Sequence, residues 1–567
     1  MRIALGQFNA VVGDLAGNAK KMRNIYTEAL KSKVDLLIFP ELAVCGYPPE
    51  DLLLKKHFLK DCLLTVKKLA ADCPDKTIVV GFAEPRPLEG RGESHKDNCY
   101  NSAAILENGR ISKIYRKALL PNTGVFDEQR YFEPGAEPVV INAGGLNIAI
   151  TICADIWDIE WLGSFLKDAG SASASRRRDK QIQMILNISA SPFDMGKIEK
   201  REEIIGDCAK KFRCAVCYCN LVGGQDEIVF DGRSMLADST GKITAKAKAF
   251  DEDLLIADIT PTGSRTVRVK SIQPPTAQPR DLIDEVYQAL VLGTRDYTLK
   301  NGFTNVLLGL SGGIDSSVTA AIAAAALGAE NVTGLTMPSK FNSPKTISDA
   351  EKLAKNLGIE FLTIPIEPIL ERFNRSLQSV PGWDEKGVAY ENLQARIRGS
   401  ILMSLSNKLG SLVLTSGNKS ETAVGYTTLY GDTAGGFAVI KDVYKTLVYK
   451  LAEHINKISN QQIIPKSVLR RPPSAELSPD QKDTDTLPDY DLLDKILKGY
   501  VEEDESAQQL IESGLPKDVV WRVVRMVDRN EYKRRQSPPG VKITPKAFGK
   551  DRRLPITNRY GLSDDTV

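Results

Sequence analysis

Residues 305–327 read NVLLGLSGGIDSSVTAAIAAAAL. The run from Asn305 to Leu310 is short and apolar, the pattern of a strand covered on both faces, and the alanine-rich run after Ile314 has the composition of a helix. Ser311-Gly312-Gly313 forms the turn between them. Adjacent glycines let the backbone approach a ligand, Ser311, Ser316 and Ser317 add hydroxyls, and the helix start offers unpaired N–H groups and positive dipole. The segment therefore predicts a phosphate cradle at a strand-to-helix turn. No Gly-Lys-Ser/Thr follows, which excludes a Walker A loop, and the glycines are adjacent, which excludes a dinucleotide fingerprint.

Outward from this turn the same rhythm repeats. NVTGLTMP (331–338) and IEFLTIPI (359–366) alternate with helix-length stretches, so the second half predicts a Rossmann-like, doubly wound parallel sheet. Upstream, DLIDEVYQALVLGTRDYTLKN (281–301) reads as a helix, and the Pro-containing TPTGSRTVRVKSIQPPTAQPR (260–280) interrupts the pattern. The first half alternates VDLLIFP, KTIVVGF, LNIAITIC and IQMILNIS with amphipathic stretches such as HFLKDCLLTVKKLAADC, again an α/β rhythm. The expected division is a first domain at 1–260, a linker at 261–280 and a second domain at 281–567, whose tail from about Arg470 forms a lid-like extension.

Bulk properties bound the function. A chain of 567 residues, 42% hydrophobic and 26% charged, is long enough for two full cores. A net charge of +3 supplies no global field for nucleic acid or membrane. Neither a targeting segment nor an apolar run of spanning length is read, and nine cysteines fit reduced thiols, so a cytoplasmic protein is expected. Three histidines, His57, His95 and His454, give little material for a His-based triad or metal site. Cys214, Cys217 and Cys219 lie in a strand-like alternation and read as core. SASASRRRD (171–179) reads as a solvated loop.

In the first half three segments set a reactive group beside an apolar strand. DLLIFPELAVCGYPPEDL (35–52) offers Glu41, ISKIYRKALLPN (111–122) offers Lys117, and LNIAITICADIWD (146–158) offers Cys153. A thiol of ordinary pKa, about 8.5, is mostly protonated at neutral pH and needs a base, while a nearby lysine stabilises an oxyanion. Singly, each has a plainer reading: core cysteine, surface lysine, helix-start acid. Together they resemble the Glu-Lys-Cys triad of the nitrilase superfamily. NCYNSAAIL (98–106), GVFDEQRYFEPG (124–135) and NLVGGQDEIVFDGRSML (220–236) extend the likeness. The resemblance implies an α-β-β-α sandwich, Glu41 as general base, Cys153 as nucleophile and Lys117 at the oxyanion, with Glu128 supporting Lys117. It also implies that Thr123, Ser191 and Lys197 hold glutamine. Ala154 stands where the family often has an acid, and Thr123 where it often has an aromatic residue.

SGGIDS resembles the pyrophosphate loop of the N-type ATP pyrophosphatases. LVLTSGNKSETAVGYTTLYGDTAGGFAVIKDVYKT (412–446) is similar to their NAD synthetase branch, as are YENLQARIRGSILMSLSN (390–407) and NEYKRRQSPPG (530–540). This implies ATP as a substrate, bound by Gly309, Leu310, Ser311, Gly312, Gly313, Ile314, Asp315, Ser316 and Ser416, with Mg2+ on Asp315 and Glu421. Deamido-NAD would meet Asn392, Arg396, Glu421, Asp432 and Lys533, with Arg398 beside them, and Lys445 and Arg534 would face phosphate. Both halves thus resemble the bacterial glutamine-dependent NAD synthetases. The implied protein is a homo-oligomer that amidates deamido-NAD with glutamine nitrogen and ATP, independent of nucleic acid and membrane. Alternatives are an ammonia-fed ligase acting on another carboxylate or a tRNA base, a ligase using free ammonia with a degenerate glutaminase domain, and a regulatory or scaffolding protein whose N-terminal domain has lost activity and only binds glutamine or a partner.

Overall fold

The computed structural model describes residues 1–86, 99–168, 181–263, 266–274, 276 and 278–560; SASASRRRD and His95 lie outside them. The chain forms two compact units, Met1–Gln225 with Val229–Arg280, and Asp226–Ile228 with Asp281 onward. No helix among the described residues is long and apolar enough to cross a membrane.

In the first unit a seven-stranded sheet runs in the spatial order Val267–Ser271, Asp253–Pro261, Arg2–Gln7, Leu36–Ile38, Thr77–Glu84, Tyr100–Glu107, Arg110–Arg116. A six-stranded sheet runs Ile243–Lys246, Met235–Ala237, Ala215–Asn220, Met184–Ser189, Leu146–Ile152, Val139–Ala143. The period of two along each strand decides what meets what. Ile3, Leu5, Leu36 and Ile38 of one sheet share a buried cluster with Ile148, Ile150, Ile152, Leu186 and Ile188 of the other. Ala149, Ile185 and Val216 turn the opposite way, onto the helices Ile159–Asp168 and Lys197–Phe212. Helix Lys56–Asp72 packs on the first sheet, with Leu15–Lys31 against it, which completes an α-β-β-α sandwich. Cys217 and Cys219 face the sandwich core and Cys214 the helical layer; all nine cysteines are free and buried.

The stretch expected as a linker departs from that reading. Val267–Ser271 is a strand of the first sheet, paired antiparallel with Asp253–Pro261 so that Val269 lies opposite Ile259. Val267 and Val269 are buried while Arg268 and Lys270 are exposed, so β-branched alternation outweighs the flanking prolines.

The second unit centres on a five-stranded sheet with every pairing parallel, in the order Glu360–Thr363, Val332–Thr336, Val306–Gly309, Leu412–Thr415, Phe437–Ala438. The sequence 3-2-1-4-5 reverses direction between the third and fourth strands in this list, and crevices that accept ligands open at such switch points. Helices Glu367–Leu377 and Gly387–Leu409 cover one face through Leu370, Tyr390, Ile397 and Leu402. The C-terminal tail, expected as a lid-like extension, carries a helical cluster of its own: Leu493, Leu497, Val520, Val523 and Val527 pack with Ala423 and Val424.

Candidate active sites

In the first unit the reactive groups stand just past strand ends, and they come from both sheets. Glu41 follows Leu36–Ile38 and Lys117 follows Arg110–Arg116 in the seven-stranded sheet; Cys153 follows Leu146–Ile152 in the six-stranded one. Glu41 and Lys117 have no exposed surface and Cys153 is 5% exposed. Glu41 Oε1 accepts hydrogen bonds from Lys117 Nζ and Asn101 Nδ2, both at 2.7 Å. Its Oε2 accepts from the Ala190 backbone N–H at 2.8 Å, across from the other sheet. Lys117 Nζ also donates to Glu128 Oε1 at 2.8 Å, which in turn accepts from Tyr47 Oη at 2.9 Å. Asn101 and Tyr47 carried no signal in the sequence, because neither stands next to a reactive residue in the chain.

The electrostatics follow from one ammonium among several acids in a dry site. Burial pulls Lys117 down, but Glu128 and Glu41 outweigh it and hold the ammonium above its ordinary pKa. Burial pushes Glu128 up to about 7 despite Lys117, with Glu41 adding to the rise. The Cys153 thiol is pushed up to about 12 by burial and by Glu41, with Lys117 opposing. The resting sulfur is therefore a thiol, and attack requires a base. Cys153 also holds φ at 43°, in the left-handed region that L residues rarely adopt and that a surrounding structure must enforce.

The expected glutamine residues separate. Lys197 starts a helix, pairs with Asp194 at 3.2 Å and acts on Cys153 electrostatically. Ser191 is buried; its N–H donates to Asn220 Oδ1 at 2.9 Å and its hydroxyl accepts from Arg201, which is paired with Asp231 at 3.0 Å. Thr123 lies exposed in the loop after Lys117, with its carbonyl capping Phe126.

In the second unit the glycine-rich turn leaves strand Val306–Gly309 and enters helix Ile314–Leu327, as its sequence predicts. Gly312 has φ +80°, and a Cβ there would meet the Thr346 carbonyl oxygen at 2.1 Å, so the turn accepts no side chain at this point. Ser311 and Ser316 hydroxyls lie 3.2 Å apart, and Ser316 Oγ donates to the Gly313 carbonyl at 3.1 Å. Ile314 is buried at the helix start. A cavity of about 490 Å³ opens at the switch point, walled by Gly309, Leu310, Ser311, Ser416, Asn392, Asp432 and Lys533. Gly312 to Ser316 are not part of that wall.

Asp432 accepts from the Thr428 N–H at 2.5 Å, and burial pushes its carboxyl up to about 6. Lys533 Nζ caps the carbonyls of Gly425 and Thr427 at 2.7 and 2.8 Å. The two arginines expected at the dinucleotide part company. Arg396 is exposed and donates to the Leu429 carbonyl, whereas Arg398, two residues on, reaches the cavity and donates to the Met337 carbonyl at 2.9 Å. Arg534, expected at phosphate, is buried against Glu531 at 2.9 Å and donates to the carbonyls of Ala423 and Val527, so its charge is consumed in closing a helix junction.

Asp315, Glu421 and Lys445 form a separate cluster. Lys445 Nζ lies 2.5 Å from Asp315 Oδ2 and 3.0 Å from Glu421 Oε1. Asn418 caps the helix Lys419–Val424, accepting from Glu421 N–H at 3.0 Å, and donates to Asp315 Oδ1 at 2.9 Å. Asn418 and Glu421 stand at the spacing of a side-chain N-cap, and only the fold brings that cap to Asp315. Burial pushes Glu421 up to about 8, with Lys445 opposing and Asp315 adding; burial lowers Lys445, and the two carboxylates more than reverse this.

The family model described as carbon–nitrogen hydrolase matches residues 2–269 and that of NAD synthase matches residues 286–537. Fold and sites thus define a carbon–nitrogen ligase that carries its own amide-hydrolysing unit. The glutamine-dependent NAD(+) synthetase of Thermotoga maritima is 42% identical over 591 residues, covering 99% of each chain, and that of Synechocystis sp. is 44% identical over 563 residues, covering 98% of this chain and 99% of the relative. The solved glutamine-dependent NAD+ synthetase from Acinetobacter baumannii in complex with ADP is 40% identical, superposes with TM-score 0.75 and covers 98% of both chains. The chain belongs to the glutamine-dependent NAD(+) synthetases.

Proposed function

We propose that this chain, as a cytoplasmic homo-oligomer, converts deamido-NAD to NAD with ATP and with ammonia drawn from glutamine. Relatives of the same length and two-domain order support the overall reaction, and nine free thiols suit a reducing compartment. The observation that carries the amide half is the Glu41 carboxylate, fixed from both sheets in the same buried site as Cys153.

In this reading Glu41 takes the thiol proton as Cys153 Sγ attacks the glutamine carboxamide carbon. Lys117 stabilises the oxyanion, its ammonium being secured by two acids. Collapse breaks the C–N bond, the proton returns to the departing nitrogen, and ammonia leaves a glutamyl thioester. Water, deprotonated by Glu41, then releases glutamate. Asn101 Oδ1 and Glu128 Oε2 are buried without a hydrogen-bond partner among the described residues and suit a donor such as a carboxamide N–H.

In the second unit the nicotinate carboxylate of deamido-NAD attacks the α-phosphorus of ATP, expelling pyrophosphate. Ammonia then displaces AMP from the acyl adenylate, giving NAD. The dinucleotide lies in the cavity bounded by Asn392, Arg398, Asp432 and Lys533, and the turn beside Ser311 and Ser416 holds ATP. Asp315 and Glu421 would hold magnesium: two carboxylates sharing one ammonium are hard oxygen donors with charge to spare. No set of three or more ligating side chains stands ready among the described residues, which suits an ion that takes its other ligands from phosphate and water. When bound, magnesium neutralises phosphate charge.

Incubating the protein with deamido-NAD, ATP, Mg2+ and either glutamine or ammonium tests the reading. Equal yields of NAD, AMP and pyrophosphate are expected from both nitrogen sources; ADP with orthophosphate, or no NAD, overturns it.

A further inference from the structure

Asp155 is completely buried, yet its carboxylate accepts hydrogen bonds from Leu119 N at 2.9 Å, Ala118 N at 3.2 Å, Ile152 N at 2.8 Å and Tyr115 Oη at 2.7 Å. The donors belong to two segments. Tyr115 to Leu119 is the end of a strand of the seven-stranded sheet and carries Lys117; Ile152 to Asp155 is the exit from a strand of the six-stranded sheet and carries Cys153. We infer that Asp155 is a positioning residue for the amide chemistry, its carboxylate clamping the segment that bears Lys117 to the segment that bears Cys153. The inference rests on the proposed use of glutamine by this unit.

Asp155 works through other groups. Cys153 keeps a left-handed backbone, φ 43°, which persists only where neighbours over-determine it, and the bond from Ile152 N fixes the residue immediately before. Asn187 Nδ2 braces the Cys153 carbonyl at 3.4 Å from the other side. On the lysine side, the bonds from Ala118 and Leu119 fix the backbone immediately after Lys117, so its ammonium is delivered toward Glu41 and Glu128. A buried carboxylate is expensive, and an apolar side chain would fill the same space at less cost. Only an ionised carboxylate offers acceptors on both oxygens; an asparagine would turn an NH2 toward two of the donors.

The test uses the full chain with Asp155→Asn and with Tyr115→Phe, the latter removing a single bond. For each, glutamine-driven turnover and KM are measured relative to the ammonium-driven rate of the same preparation, and Cys153 alkylation by iodoacetamide is followed across about pH 7 to 10. Asp155→Asn is expected to lower glutamine kcat on the order of tenfold or more with KM little changed, since misplacement of reacting groups acts on turnover. Alkylation slows at every pH in that range, because the thiol loses the fixed ammonium of Lys117 that opposes its rise. Tyr115→Phe gives a smaller change of the same sign, and it decides the matter if Asp155→Asn does not fold. Unchanged kcat and alkylation profile in a folded variant overturn the inference alone, as does a loss confined to thermal stability. Absence of glutamine-driven turnover in the unmodified protein overturns the underlying reading, and the inference with it.

Discussion

Glu421 is a carboxyl that burial carries up to about 8, with Lys445 pulling it down and Asp315 pushing it further up. Below that pH a proton occupies the oxygen that a cation would take, so metal and proton compete. The Mg2+ concentration giving half-maximal ammonium-driven synthesis should therefore fall as pH rises toward 8, by up to about tenfold per unit for one competing proton. A flat dependence in a Mg2+ titration at several pH values would remove Glu421 from the metal. Glu421→Ala is expected to cost at least about 10–100-fold in synthesis with either nitrogen source while glutamine hydrolysis persists, since losing even an outer-shell partner of a metal ligand costs that much. Full ammonium-driven synthesis by the variant would reassign the residue. At this scale the sequence revealed the reactive types better than their surroundings. Glu41, Lys117 and Cys153 stand out through their joint likeness to a Glu-Lys-Cys triad; Asn101, Tyr47 and Asp155 do not, because the groups they touch lie far away in the chain. Arg534 shows the converse: likeness to a family segment assigns it to phosphate, and only packing reveals a guanidinium held by Glu531 and two carbonyls.

The turn at Gly312 depends on the missing side chain. Gly312→Ala places a methyl 2.1 Å from the Thr346 carbonyl oxygen at φ +80°, so either the turn or the neighbouring helix Pro344–Leu357 must shift. We expect at least about tenfold loss of both glutamine- and ammonium-driven synthesis and a cost of about 1–3 kcal/mol, the range for an enforced left-handed residue. Steady-state assays and denaturant unfolding check this, and a variant of native activity would show that the turn tolerates a Cβ. The element was readable because strand, turn and helix are contiguous, so local composition and tertiary role agree. Val267–Ser271 was not, because pairing with Asp253–Pro261 supplies what the proline-rich surroundings deny. Alternation at Val267 and Val269 was the signal available.

Each unit has its own sheet system and core, and the residues proposed for the thioester step at Cys153 include none of those proposed for adenylation. Cys153→Ala should therefore abolish glutamine-driven NAD formation yet leave ammonium-driven formation largely intact, as a paired assay at saturating deamido-NAD and ATP will show. Unchanged glutamine-driven turnover would remove Cys153 as nucleophile; equal loss in both series, with the fold intact, would show that the chemistries are not separable. The two-domain plan and parallel sheet were legible because hydrophobic rhythm persists over long stretches, whereas the sandwich came through family likeness, since periodicity does not specify which faces meet. That meeting of faces has a consequence in heat. The Glu41 carboxylate is held by Lys117 and Asn101 from one layer and by Ala190 from the other, so it registers the spacing between layers. Glutamine use is therefore expected to fade on heating before circular dichroism reports any loss of structure, and to return on cooling; activity that falls only with the melt would show that the layers hold their spacing.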